Sequence, residues 1–581
     1  MKIRRLSEEL VRKIAAGEII ERPSSVAKEL IENAIDAEAT RITVRVGEPL
    51  YTEISVSDDG CGMSREDALL SLERHSTSKL SGEEDLLAIG TLGFRGEALP
   101  SIAQVSRLLL STRSRETLSG TLIRCTGGKI EEVSETGRAP GTTVTVKDLF
   151  FNTPVRRKFL KSKSTEFRHV IRVMSSDALA FESIHFVLKQ NERELLNLPP
   201  APSLFDRVVS LYGLQTAEQL IPIDSEREGM RIQGYLGSAE LSRTSSEHQL
   251  FFVNRRWIAS PTLVFALREA YAELLPRDRY PLCIILLSLA LERVDVNVHP
   301  TKREVRFVEE ALVRAFVRDE VKKALGQASK TVLSGIALPG ASRLEVVLQG
   351  TSAVNEFSFG YETGYELASR QLSLSGETPF SYLSTNAPLE GETALVPLWQ
   401  LHKTYILAQI KGGLVVIDQH AAHERILYEE AQRVLSKGSS STQQLLFPLL
   451  MDLTPEEFEV LLDIEVYLRK LGFDIKASGK SRIVVRGIPA GLRGWREGQL
   501  LHDIIDSLMK EAAENQSLEE RLARSFACHA AVKAGDTLTL QEMNHLVDRL
   551  FSTSMPQGDP HGRPTFIRIS LEEFERRLGR S

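Results

Sequence analysis

The sequence predicts a mixed α/β (α+β) fold spread over several domains, on three observations. Strand-like and helix-like segments alternate through the first 330 residues, the chain is 581 residues long, and a stretch rich in Ser, Thr, Gly and Pro breaks the pattern at 331–390. That stretch holds 23 Ser, Thr, Gly or Pro among 60 residues, eight charges and no Lys, too little patterning for a loop inside a compact domain. It reads as a flexible linker, the alternative being a poorly patterned small domain. A further break is expected at Leu198-Pro-Pro-Ala-Pro-Ser203. The predicted divisions are therefore 1–200, 201–330, the linker 331–390 and 391–581.

Composition narrows the class. With 42% hydrophobic and 26% charged residues the chain can bury several cores, which excludes wholesale disorder. Its 72 Lys+Arg against 78 Asp+Glu give a net charge of -6, so contact with nucleic acid would need local basic patches. Four widely spaced Cys (Cys61, Cys125, Cys283, Cys528) argue against a disulfide framework or a CxxC zinc site. The opening MKIRRLSEELVRKIAAGE has no apolar core of a signal peptide, and no run reaches about 18 apolar residues. A soluble, cytoplasmic protein of a reducing compartment is expected, with no membrane association.

Pro23-Ser-Ser-Val-Ala-Lys-Glu29 opens a helix predicted to run to about Ala37. Glu29, Asn33 and Asp36 fall at i, i+4 and i+7 on it, one polar stripe beside the apolar Leu30, Ile31, Ala34 and Ile35. Such a stripe faces either bulk solvent or a wet pocket. Thr52–Ser57 alternates like a strand and leads into Asp58-Asp-Gly60-Cys-Gly62-Met63, where glycine lets a backbone approach a ligand. Gly90-Thr-Leu-Gly93-Phe94-Arg95-Gly96-Glu97 is a second glycine-rich loop, entering a helical run from Ala98 to Val105, and its N–H groups suit phosphate oxygens. Gly141–Val146 reads as a strand carrying small polar residues, and Arg293–His299 as another with alternating Val. A P-loop is excluded: Gly479-Lys480-Ser481 ends like one, but Asp474 stands where its first glycine belongs.

At these residues the chain resembles the GHKL ATPase superfamily. The resemblance narrows to the MutL mismatch-repair family through Ile14-Ala-Ala-Gly-Glu-Ile-Ile20, Glu29-Leu-Ile-Glu-Asn-Ala-Ile-Asp-Ala37, Arg74-His-Ser-Thr-Ser-Lys79, Gly90 to Ala98 and Asp148-Leu-Phe-Phe-Asn-Thr-Pro-Val-Arg-Arg157. It implies a GHKL (Bergerat) ATPase sandwich, a ribosomal-S5-like transducer domain, the linker, and an α+β C-terminal dimerisation and endonuclease domain. By the same resemblance Glu29 is the general base for hydrolysis of ATP, and Asn33 ligates Mg2+. Asp58 accepts from the adenine amino group, Gly60 and Gly62 leave room for the base, and Thr143 helps hold it. Thr77, Ser78 and Lys79 with Gly93, Phe94, Arg95 and Gly96 cover the phosphates. Lys302, in Asn297-Val-His-Pro-Thr-Lys-Arg-Glu304, reaches the γ-phosphate from the second domain.

In the last third, Tyr405–Ile410 and Leu414–Ile417 read as a hairpin that runs into Asp418-Gln-His420-Ala-Ala-His-Glu424-Arg-Ile-Leu-Tyr-Glu429. His420 and Glu424, one helical turn apart, can address one ion. The string resembles the DQHAxxExxxxE motif of nicking MutL homologues. Ala527-Cys528-His529 and Asp559-Pro-His561-Gly-Arg563-Pro564 resemble two further family strings, with His529 where Arg is usual and Asp559 where Cys is usual. The implied set is Asp418, His420, Glu424, Asp559 and His561, with Glu429 in support and Asp418 and Glu424 acting in catalysis. Asp559 in place of a thiolate favours Mn2+ or Mg2+ over Zn2+. The alternatives are a purely structural metal site and a non-cutting matchmaker; a type II topoisomerase ATPase subunit is disfavoured by this C-terminal motif.

Arg156, Arg157, Lys158 and Lys161, with Lys163, make a basic run suited to sequence-independent phosphate contact, or a solvated face; Arg255 and Arg256 are a second candidate. Gln443-Gln-Leu-Leu446-Phe-Pro448 resembles the peptide by which some MutL proteins touch the sliding clamp, or it is a buried strand end. The resemblance also implies a nucleoid-associated bacterial-type homodimer, switched by ATP, working with DNA and a MutS-type partner.

Overall fold

The computed structural model describes residues 17, 19–79, 91–93, 96–276, 278–295, 303–335 (backbone only from 329), 398–479, 481–492, 495–510 and 516–580. The first layer is an eight-stranded sheet in the order β5-β4-β3-β6-β2-β1-β7-β8. Its strands are β1 (Arg41–Val46), β2 (Glu53–Asp58), β3 (Arg107–Arg113), β4 (Gly120–Thr126), β5 (Lys129–Thr136), β6 (Gly141–Lys147), β7 (His185–Gln190) and β8 (Arg193–Leu198). All neighbours are antiparallel except β1 and β7. Period-two alternation turns Ile42, Val44 and Val46 of β1 and Ile54 and Val56 of β2 inward.

Against that face lie the helices Pro23–Asp36 and Lys163–Ala180, which bury Val26, Ala27, Leu30, Ile31, Phe167, Val170, Ile171 and Met174 in one core. Pro23 sits in the first turn, where its missing N–H costs no intrahelical bond. The helix thus starts where the sequence places it and ends at Asp36, one residue before the expected Ala37. The expected strands at 52–57 and 141–146 and the helix from Ala98 appear as β2, β6 and Ala98–Gln104.

Next come β9 (Leu220–Arg227), β10 (Met230–Gly237), β11 (Gln249–Val253), β12 (Arg256–Ile258) and β13 (Cys283–Ser288), ordered β12-β11-β13-β10-β9. The helices Pro261–Ala270 and Glu310–Gly335 cover this sheet through Leu263, Leu267, Val313, Phe316, Val317 and Val321. The second of these helices continues beyond the expected boundary at 330, because no proline or cap stops it before Gly335. Of the strand expected at 293–299, the described part is β14 (Val294–Asp295), paired with β15 (Arg306–Phe307). Residues 336–397, most of the expected linker, lie outside the described residues.

The final part has two sheets. β16 (Leu398–Leu401), β17 (Tyr405–Ile410), β18 (Gly413–Asp418) and, from the chain end, β22 (Phe566–Ser570) form an antiparallel meander closed by a late strand. β19 (Thr442–Asp452), β20 (Asp474–Ala477) and β21 (Arg482–Pro489) form the other, in the order β19-β21-β20. Helices Pro455–Lys470, Gln499–Met509 and Leu518–Ala530 build its core with Phe458, Leu461, Ile464, Leu501, Ile504 and Leu522. The predicted β17–β18 hairpin is present, and β18 ends at Asp418, whose carboxylate caps the Gln419–Lys437 helix by accepting from His420 N (2.9 Å) and Ala421 N (3.0 Å). No helix among the described residues is long and apolar enough to cross a membrane.

Candidate functional site

A cavity of about 720 Å³ opens beside the Pro23–Asp36 helix and is lined also by the end of β2, by 75–79, by Gly93 and by 96–100. Glu29, Asn33 and Asp36 all line it, so the polar stripe faces a wet pocket and not bulk solvent. Glu29 is 7% exposed, with the Lys28 ammonium 3.8 Å from its Oε1. Helical spacing delivers this arrangement: the apolar flank holds the helix on the sheet and leaves the stripe toward the opening.

Asp58, at the end of β2, also lines the cavity. Burial pushes its carboxyl up, against hydrogen bonds from the backbone of Gly60 and Thr142 and the nearby Arg138 charge that act to lower it. Both backbone donors meet Oδ1, at 3.0 and 3.1 Å, so the other oxygen can serve a donor in the cavity. Thr77, Ser78, Lys79, Gly93 and Gly96 also line the cavity. Phe94, Arg95 and Lys302 lie outside the described residues.

Two expectations need correction here, and a third residue carries a second constraint. Thr143 does not line the cavity; its neighbours Thr142 and Val144 do, because alternation along β6 turns Thr143 to the far face, where its hydroxyl meets Ser57 Oγ at 2.8 Å. Gly60 is set by chain packing and not by room for a base: a Cβ there would come 2.6 Å from the Ala37 carbonyl. Gly62 does line the cavity, yet its φ of +68° and a Cβ clash at 1.9 Å with the Arg113 carbonyl oxygen demand glycine regardless of any ligand.

The C-terminal candidates divide differently from expectation. Glu424, Cys528 and His561 bring one ligand atom each within 4.8 Å of one another. Glu424 is fully buried, and its Oε1 lies 2.8 Å from His561 Nε2 without a well-formed hydrogen bond. A fully buried carboxylate beside an imidazole and a thiol is a mixed O, N and S donor set that fits a cation. His420 stands at the edge: its Nδ1 bonds the Val532 carbonyl (2.9 Å), which leaves Nε2 aimed toward Glu424 Oε2 at 3.8 Å. Asp418 serves as the helix cap described above.

Asp559 is not in the cluster of three. Its Oδ1 accepts from the backbone of His561 and Arg563, both at 2.8 Å, and Oδ2 from Arg563 Nε at 2.5 Å. Burial would raise this carboxyl, but those bonds hold it below the usual range. A short acid at the head of a turn is captured by the N–H groups that follow it. Arg563 in turn reaches Glu424 Oε2 at 2.8 Å, so Asp559 acts on the cluster through Arg563. Glu429 likewise points to the backbone and hydroxyl of Ser554 and to Met555 N, fastening the loop that carries His561.

Cys528 is the residue that the sequence reading left out of the ligand set. Its string drew attention to His529, which turns the other way, onto Ser507 Oγ at 2.8 Å, and is driven down to about 4 by burial. Burial and the Glu424 charge raise the Cys528 thiol. One helical position separates the two side chains by about 100°, and apolar and polar flanks of 518–530 decide which faces the cluster. His248, Glu457 and Asp506 also converge, but their polar atoms are already partnered: His248 Nε2 meets Asp506 Oδ1 at 2.9 Å, and a fourth residue, His502, meets Glu457 Oε1 through its Nδ1 at 3.2 Å.

Among the basic candidates, Arg157, Lys158 and Lys161 are exposed and Arg156 half-buried, with Arg157 over the Tyr51 ring at 4.3 Å. Arg256 is buried and donates to the Thr91 and Leu92 carbonyls at 2.9 and 3.0 Å, so it is no surface contact. The Gln443–Pro448 string lies on β19, where pairing with β21 breaks between Gln444 and Leu449. Leu446 is 94% and Phe447 85% exposed, which removes the buried-strand alternative.

Three families match the chain: "Histidine kinase-, DNA gyrase B-, and HSP90-like ATPase" over 21–144, "DNA mismatch repair protein, C-terminal domain" over 208–326 and "MutL C terminal dimerisation domain" over 398–538. Relatives named DNA mismatch repair protein MutL are similar from end to end. That of Chlorobaculum tepidum is 40% identical over 628 aligned residues and that of Chlorobium phaeobacteroides 38% over 630, each covering 100% of both chains. Among solved structures, the Aquifex aeolicus MutL ATPase domain complexed with ADP is 29% identical, with a TM-score of 0.37 over 52% of this chain and 98% of that one.

Proposed function

Because the chain belongs to the MutL family of DNA mismatch-repair proteins, we propose that it is an ATP-switched matchmaker that couples mismatch recognition by a MutS-type partner to incision of one DNA strand by its own C-terminal domain. The observation that carries the switch is the cavity lined together by Glu29, Asn33 and Asp36 of one helix and by Asp58 at the end of β2. An adenine amino group donating to Asp58 would place the phosphates toward Asn33, which would hold Mg2+, and Glu29, which would take the proton of the attacking water. We assign the ATPase domain to 1–200, the transducer domain to 201–330 and the dimerisation and endonuclease domain to 391–581, joined by a flexible linker at 331–390. Lys302 is proposed to reach the γ-phosphate, with Phe94 and Arg95 over the phosphates.

For incision, Glu424, Cys528 and His561, with His420 beside them, would hold Mn2+, Mg2+ or Zn2+. A divalent ion there would polarise a phosphodiester and lower the pKa of bound water. Asp418 would hold His420 in register through the helix cap, and Arg563, 56% exposed beside Glu424, offers a fork for a phosphate. The test is supercoiled plasmid incubated with the full chain and Mn2+: nicked circles are expected, and Glu424→Gln should reduce them at least tenfold. Nicking by that variant at the original rate would leave the chain a matchmaker that does not cut, the reading that Asp559 in place of Cys favours.

A homodimer is supported by the outer face of β16-β17-β18-β22. Trp399, Leu407, Val416 and Ile567 stand side by side across its four strands, with Trp399 57% and Ile567 55% exposed. A row of that kind on a sheet face is unusual unless another surface covers it. Arg157, Lys158 and Lys161 would meet DNA phosphates without sequence preference, in a cytoplasmic, nucleoid-associated protein. Gln443, Leu446 and Pro448 would engage a sliding clamp. Replacing Leu446 and Phe447 together by Ala is expected to weaken clamp binding more than about tenfold, read by surface plasmon resonance, with thermal stability unchanged because both side chains are already in solvent. Unaltered clamp affinity would remove that assignment.

A further inference from the structure

Lys79 does more in this structure than line a phosphate site. Its ammonium lies 2.5 Å from Asp36 Oδ2 and 3.1 Å from Asn33 Oδ1. The Asn33 oxygen is the hard donor offered to a divalent ion in the reading above. A divalent ion needs that oxygen at about 2.1 Å and cannot share the space with an ammonium. The surroundings are built to keep a cation there. Asp36 is held by two further donors, Leu92 N to Oδ1 at 3.0 Å and Gly93 N to Oδ2 at 2.9 Å. Its carboxylate therefore stays in place if Lys79 leaves. A Cβ on residue 93 would come 2.9 Å from the ammonium and 3.3 Å from Asn33 Oδ1, so glycine keeps the position open.

We propose that Lys79 is a resident cation at Asn33 and Asp36 that a divalent ion displaces when nucleotide binds, and that Asp36 is the positioning residue for this exchange. The proposal rests on the ATP-site reading. A carboxylate and an amide oxygen on one helix face need a positive charge, and a tethered ammonium supplies it without a bound ion. On displacement, the flexible four-carbon stem lets the same charge move to phosphate oxygens while the ion takes the helix side. Uptake of nucleotide is thereby tied to uptake of metal, because metal alone meets a competing charge and nucleotide alone finds Lys79 still paired with Asp36.

The experiment titrates Mg2+ against the full chain with fluorescently labelled adenylyl imidodiphosphate and reads the Mg2+ midpoint and the nucleotide affinity at saturating Mg2+. For Lys79→Met the midpoint is expected to fall at least fivefold, because the competitor is gone, while the saturating affinity also falls, because a phosphate partner is gone. Lys79→Arg should bring the midpoint back to within about twofold of the original chain. Asp36→Asn should raise the midpoint at least threefold by removing a negative charge from the site. A merely structural role for Lys79 would raise the midpoint or leave it fixed, and either result for Lys79→Met overturns the exchange. No binding of the labelled nucleotide by the unaltered chain at any Mg2+ concentration would overturn the ATP-site reading and the exchange together.

Discussion

Glu29→Ala is expected to lower ATP turnover by about 10²- to 10⁴-fold, the usual contribution of a positioned base, while labelled nucleotide still binds within a few-fold of the original affinity. Glu29 lies in the middle of the Pro23–Asp36 helix, buried on the polar stripe that lines the cavity. The helix is packed on the sheet through Val26, Leu30 and Ile31. The substitution therefore removes a proton acceptor without removing a wall. Asp58→Ala is the contrasting change, since it removes the group proposed to select adenine and should cost binding. Steady-state phosphate release with filter binding separates the two. Turnover by Glu29→Ala at the original rate would move the base to another residue.

How much of this was legible before the fold was seen depends on what each position is controlled by. The helix from Pro23 was readable because proline, apolar spacing and the polar stripe agree, and that agreement also placed three cavity residues on one wall. The β17–β18 hairpin was readable because a glycine turn is a local signal, whereas Asp418 was read only as an ion ligand and the structure gives its Oδ1 to the helix cap. Thr143 and Cys528 were not. Which face of β6 looks into the cavity depends on its register with β2 and β3, set by residues about 30 to 90 positions away. Asp559 was misread because its acceptors could serve a metal or its own turn, and only the three-dimensional path of 559–563 decides that the turn takes them.

That difference sets up the second large effect. Cys528→Ala is expected to weaken metal binding at the C-terminal cluster by more than about 100-fold, beyond the 10- to 100-fold typical of residues that support a ligand without being one. Co2+ is the useful probe, because a thiolate ligand gives a near-ultraviolet charge-transfer band that oxygen and nitrogen ligands lack. The unaltered chain should show the band, and Cys528→Ala should lose it. Asp559→Asn should keep the band, since the carboxylate is committed to the backbone of His561 and Arg563 and to the Arg563 side chain. Its cost should appear as a looser loop, with metal affinity falling only within that smaller range as Arg563 lets go of Glu424. The opposite pattern, a band that survives Cys528→Ala and vanishes with Asp559→Asn, would restore the ligand set that the sequence implied. The expected pattern would mean that replacing the usual cysteine at 559 has moved all of the site's sulfur chemistry onto one residue.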